Sequence, residues 1–143
     1  MLVKQLSVFV ENKSGRVAEV TGILEQNAIN IRAMSLADTT NFGILRLIVD
    51  DPDRAEQVLK QMGITVSLTS VLAISVDDRP GGLGHVLKSL RDNGIGVEYI
   101  YAVGILSGRA VIVIRVDDNE KALDLMEKTG VKTVSGDEVY HIK

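Results

Sequence analysis

The chain says the same thing twice. "NKSGRVAEVTGILEQNAINI" (Asn12 to Ile31) returns 66 residues later as "DRPGGLGHVLKSLRDNGIGV" (Asp78 to Val97). At that offset Leu6, Val8 and Val10 fall on Leu72, Ile74 and Val76, Gly15 on Gly81, Leu24 on Leu90, and Asn27 on Asn93. After one extra residue in the second copy the offset is 67, and Val49-Asp50-Asp51 falls on Val116-Asp117-Asp118. An internal repeat of this length means that one supersecondary unit is used twice. Residues 1–70 and 71–143 are therefore expected to be two related units.

Each copy reads as the same series of elements. Leu6-Ser7-Val8-Phe9-Val10 alternates as a strand does. Val17, Val20 and Leu24, and again Leu83, Val86, Leu87 and Leu90, are spaced for one helix face. An extended stretch from Ile29 to Leu36, a turn at "DTTNFG" and a branched run from Ile44 to Val49 predict two further strands. Asp51 predicts a helix cap, Pro52 the first helical position, Ala55, Val58, Leu59 and Met62 the buried face, and Gly63 the stop. Fourth strands are expected near Ile64–Leu68 and Val131–Val134. The order βαββαβ, twice, defines an α+β chain of two ferredoxin-like units: antiparallel four-stranded sheets with both helices on one face. No linker separates the copies, so they are expected to pack rigidly side by side. Ala110 to Ile114 is apolar at every position, which predicts a strand buried on both faces. Helices cover only one face, so the other is expected to meet a second chain in a homodimer.

Composition narrows the function. With 16 basic and 19 acidic residues, a net charge of -3 and only five aromatics, the chain has no basic stripe and no stacking platform for nucleic acid. It has no cysteine, which removes disulfides and thiol chemistry. No apolar run approaches the roughly 20 residues of a membrane helix, and "MLVKQLSVFV" lacks the parts of a signal peptide. A cytoplasmic protein with no membrane association is expected. No P-loop, H-E-x-x-H or G-x-S-x-G is present. "GGLGHV" lacks the third glycine of a dinucleotide fingerprint. His85 and His141 read as ordinary helix-surface or partly buried histidines, and no nucleophile–base pair or metal set can be named around Asp78, His85, Tyr99 and Tyr101. No cofactor, no catalytic residue and no metal ligand is expected.

What remains is the repeated turn. Asn12-Lys13-Ser14-Gly15-Arg16-Val17 and Asp78-Arg79-Pro80-Gly81-Gly82-Leu83 each join a first strand to a first helix. Such a turn presents backbone N–H groups at the positive end of a helix, where a carboxylate or phosphate is favoured. Glycine lets the backbone approach a ligand closely. The Asn or Asp side chain can accept from an ammonium or close an Asx turn. An amino acid carries both charges, so this turn could hold one whole. Read on spacing alone, the same residues could equally just make the turn and cap the helix.

"D-R-P-G-G-L" followed by "N-G-I-G-V", and "N-K-S-G-R-V" followed by "N-A-I-N-I", resemble the ACT domain, a regulatory amino-acid-binding module, over residues 3 to 143. Ser14 stands where that family usually has Pro. The resemblance implies side-by-side pairing into an eight-stranded sheet, with small ligands at the junction. The turn of one domain would supply backbone groups and an Asn or Asp; the start of the second strand in its neighbour would supply another polar side chain. Carried over, Asn12, Ser14, Gly15 and Arg16, and Asp78, Pro80, Gly81, Gly82 and Leu83, form the two turns, and Asn30 holds the second-strand position. Gly96 replaces it in copy two, so the sites are expected to be unequal. Most ACT domains regulate an attached enzyme or DNA-binding domain; here the implied partner is a separate regulated enzyme. The competing expectation is a structural or interaction module with degenerate sites.

Overall fold

A computed structural model describes residues 2–11, 13–38 and 41–142. The elements are β1 (Val3–Glu11), α1 (Arg16–Gln26), β2 (Ile31–Asp38), β3 (Phe42–Val49), α2 (Pro52–Gln61), β4 (Val66–Asp77), α3 (Gly82–Asp92), β5 (Val97–Leu106), β6 (Arg109–Val116), α4 (Asn119–Thr129), β7 (Lys132–Thr133) and α5 (Gly136–Tyr140). Thr39 and Thr40, within the expected turn before β3, lie outside the described residues. The chain divides into two compact units, Lys4–Thr69 and Ser70–Lys143 with Met1–Val3. β4 is one twelve-residue strand that serves as the last strand of the first unit and the opening strand of the second. The expected absence of a linker thus takes the form of a shared strand.

In the first unit the strands lie in the order β2-β3-β1-β4. β1 and β3 are antiparallel, with Leu6 opposite Leu47 and Val8 opposite Leu45. Strand alternation sends these side chains to one face, where Val20, Ile23 and Leu24 of α1 and Ala55 and Leu59 of α2 complete the core. Asp51 caps α2 by accepting from the Arg54 amide, and Pro52 opens it. The core stops short of Met62, which is 62% exposed. α2 ends at Gln61, and the turn through the left-handed Gly63 carries Met62 off the buried stripe.

The second unit repeats the plan. Its strand order is β4-β6-β5, with β7 along β4. Leu72, Ile74, Val76, Ile112, Ile114 and Val116 face Val86 and Leu90 of α3 and Ala122 and Met126 of α4. β7 is only two residues long, shorter than the expected Val131–Val134.

The β6 run is buried on both faces, as its sequence predicts, but its cover differs from the expectation. Val111 and Val113 point away from the helices, paired with Ser75 and Ala73, and are fully buried within one chain. Along the β4 edge that carries β7, the Val134 amide donates to the Ala73 carbonyl at 2.8 Å. Val139 and Ile142 of the C-terminal segment are buried outside the helix-side core. α5, held by a capping box between Ser135 and Glu138, is the element that the sequence reading missed. The single chain thus covers the face that was expected to meet a second chain, and the strand does not argue for a dimer.

Leu24 and Leu90 are equivalent, nearly fully buried core positions. Leu24→Ala and Leu90→Ala should each cost about 2–5 kcal/mol in chemical denaturation. Met62→Ala should cost less than about 0.5 kcal/mol.

Candidate ligand-binding site

The two turns repeat bond for bond. In the first, the Lys13 amide donates to the Glu11 carbonyl, Arg16 to Lys13, and Glu19 to Gly15; in the second, Arg79 donates to Asp77, Gly82 to Arg79, and His85 to Gly81. Gly15 and Gly81 both stand at the N-cap in the left-handed region, at φ 85° and 86°. Neither α1 nor α3 has a side-chain cap, whereas Asp51, Asp118 and Ser135 cap α2, α4 and α5. Among the described residues, the first helix of each repeat thus begins without a side-chain cap, at the positive end of its dipole.

Charges gather around the first turn. Lys13 Nζ lies 2.9 Å from Glu11 Oε2, and Arg16 lies 2.8 Å from Glu19 and 3.8 Å from Glu11. The hydrogen bond and charge of Lys13, followed by the charge of Arg16, hold the Glu11 carboxyl below its ordinary range. Any stabilisation from that pair is present above the ordinary carboxylate range and fades as the pH falls through the lowered value. Glu19, then Glu11, raises Arg16. Beside the turn lies a cavity of about 260 Å³, lined by Glu11, Lys13, Arg16, Val17, Leu36 and Asp38 among others. Cations, carboxylates and aliphatic walls thus converge on one small space, as a zwitterion with an apolar side chain would need.

The second turn is more self-contained. Asp77, rather than Asp78, carries its ion pairs, with Arg79 at 3.3 Å and Arg109 at 2.5 Å. Asp78 and Pro80 are exposed on the turn. A Cβ on Gly82 would lie 2.1 Å from the Asp77 carbonyl oxygen, so this glycine is required by the chain's own backbone. Leu83 packs partly against the second core.

Ser14, Gly15 and Arg16 come together in one turn, and Asp78, Pro80, Gly81, Gly82 and Leu83 in the other. Asn12 lies outside the described residues. Asn30 sits at the opposite end of α1 from Gly15, roughly 16 Å away by helix rise. Its amide donates to Asp50 Oδ1 at 3.0 Å, and it lines a depression of about 380 Å³ with Thr21, Glu25 and Ile31. The first repeat alone therefore cannot bring Asn30 to its own turn. At the equivalent Gly96, a Cβ would lie 2.8 Å from Asp117 Oδ2, so the aspartate occupies the space a side chain would need. Sequence reading overlooked Glu11, Lys13, Leu36 and Asp38. A usable signal was present: the acid at Glu11 and Asp77, followed two residues later by a base at Lys13 and Arg79, recurs at the same offset of 66. Among the described residues, no group of three His, Asp or Glu side chains could hold a metal ion, and no helix is long and apolar enough to cross a membrane.

A duplicated βαββαβ chain with a glycine-capped first helix in each copy defines a pair of ACT domains. The chain belongs to the ACT domain pair family, whose profile matches residues 1–142. A crystal structure of a Bacteroides thetaiotaomicron protein superposes with a TM-score of 0.93 at 39% identity, covering 99% of this chain and 98% of that one. The acetolactate synthase small subunit of Haemophilus influenzae is 33% identical over 73 residues, 49% of this chain and 45% of that protein. The chain thus spans less than half the length of that relative. A probable acetolactate synthase small subunit of Archaeoglobus fulgidus is 25% identical over 142 residues, 91% of this chain and 89% of that protein.

The two glycines of the second turn should separate in stability measurements. Gly81→Ala meets open space and bears only the left-handed backbone cost, about 1–2 kcal/mol. Gly82→Ala drives a Cβ into backbone and should cost at least about 3 kcal/mol.

Proposed function

We propose that this chain is a non-catalytic regulatory protein that binds an amino acid at its glycine turns and acts on a separate enzyme. The repeats at 1–70 and 71–143 serve as its two ACT units. The observation that carries the reading is the pairing of uncapped first helices with the charged, aliphatic-walled cavity beside Arg16. The α-carboxylate is assigned to the bare amides and to the cations Lys13 and Arg16, and the ammonium to nearby carboxylates. Two relatives named as small subunits of acetolactate synthase support action on a separate enzyme. Edge strands β2 and β5 carry the exposed apolar residues Met34, Leu36, Ile100 and Ile105, which supports a homodimer. A cytoplasmic location fits the absence of cysteine. For binding to regulate, the ligand must favour one arrangement of the protein over another; affinity alone shifts nothing.

The second reading is a scaffold with degenerate sites. It is favoured by Gly96, whose side-chain space Asp117 fills, and by Gly82, whose bare Cα is packed by Asp77. A thermal-shift screen of the twenty amino acids separates the two. We expect at least one to raise the melting temperature. Lys13→Ala and Arg16→Ala should each weaken its binding about tenfold without lowering the melting temperature of the unliganded protein. A shift that survives both substitutions would contradict the placement, and no shift with any amino acid would favour the scaffold.

A further inference from the structure

Both repeats leave a depression at the same place, beside the first turn of the first helix and against the loop after the second helix. In the second repeat it measures about 190 Å³, and the chain puts its own cation there. Arg109 Nε donates to Ser75 Oγ at 2.9 Å, Nη2 to the Ser75 carbonyl at 3.0 Å, and Nη1 to the Asp77 carboxylate at 2.5 Å. Strand register sets Arg109 directly opposite Asp77.

In the first repeat the same register sets Phe42 opposite Glu11. The counterpart of Ser75 is Phe9, and that of His85 is Glu19. The cross-strand guanidinium has no counterpart on β3; Arg16, standing where the other repeat has Gly82, reaches Glu19 at 2.8 Å and Glu11 at 3.8 Å instead, and a second carboxylate has been added. The resulting cavity is about 260 Å³. Phe9 is 51% and Phe42 50% exposed on its wall, with Met62 beside them. Three large, exposed apolar side chains lining one cavity form a surface suited to an apolar group. Of the charged groups lining the cavity, two are carboxylates, Glu11 and Glu19, and one is a cation, Arg16.

We propose that this first-repeat cavity binds an organic cation: a positively charged nitrogen group on a flat or apolar body. The nitrogen takes the place that Arg109 fills in the other repeat, near Glu11 and Glu19. The body lies against the phenyl rings and Met62, where the ring faces attract the cation as well. The cavity shares Glu11 and Arg16 with the glycine-turn cavity. It opens toward Met62 to Thr65, whereas the turn cavity opens toward Leu36 and Asp38. The proposal therefore does not depend on an amino acid being the turn's ligand.

Benzamidine and its neutral isostere benzamide test this on the full chain by ¹H–¹⁵N NMR titration. Benzamidine should shift the amides of Phe9, Glu19, Phe42 and Gly63 saturably, and benzamide should bind about tenfold more weakly. Glu19→Gln and Phe42→Ala should each weaken benzamidine about fivefold. Phe42→Leu, which keeps an apolar wall, should narrow the difference between the two probes. Equal affinity for both probes, no saturable shift up to about 10 mM, or shifts confined to the second repeat would overturn the proposal.

Discussion

A glycine in the left-handed region at the head of each first helix is the constraint on which the site depends. At φ near 85°, Gly15 and Gly81 turn the chain from strand into helix within a few residues. That conformation costs an L side chain about 1–2 kcal/mol, so glycine is the residue that holds it cheaply. Glycine also brings no side-chain acceptor. The other helices begin with Asp or Ser, whose side chains accept from their own amides; Gly15 and Gly81 supply no such cap. The turn geometry and the open anion-favouring end therefore have one cause.

Duplication of that turn has left two different surfaces. In the first copy Arg16 follows the glycine, and its ion pairs with Glu19 and Glu11 sit at the mouth of a cavity. In the second copy Gly82 takes that place, the Asp77 carbonyl closes against it, and Arg109 reaches from β6 to tie Ser75 and Asp77 together. The scaffold bonds are conserved between copies while the groups facing solvent have diverged. The same holds at the far end of the helix. Asp50 accepts from the Asn30 amide in one copy, and Asp117 crowds the side-chain space of Gly96 in the other.

Much of the fold was legible because it is written in local chemistry. Asp51, Pro52 and Gly63 mark α2 by capping and stopping rules, and alternation in β1 and β3 marks their buried faces. The shared strand β4 was half legible: "TVSLTSVLAISV" carries no turn residue, yet periodicity alone cannot say that two strands fuse. α5 escaped because five residues are too few to show a period. The burial of Val111 and Val113 is a long-range packing fact. At the site, the turns were readable from Gly15 and Gly81. The charges beside them were readable as the repeated acid and base at the offset of 66, whereas Leu36 and Asp38 required the pairing of β2 to be known, and the reason for Gly82 required backbone coordinates.

The account rests on bare amides at the two turns receiving a small zwitterion. The most direct measurement is an amide NMR titration of the full chain with each amino acid, following Gly15, Val17 and Ala18 together with Gly81, Leu83 and Gly84. The account predicts that at least one amino acid moves the amides of one or both turns downfield and saturably, as new hydrogen bonds to a carboxylate would. If every amino acid leaves both sets unmoved, or moves only amides remote from them, the turns are structural and the sensor reading is wrong.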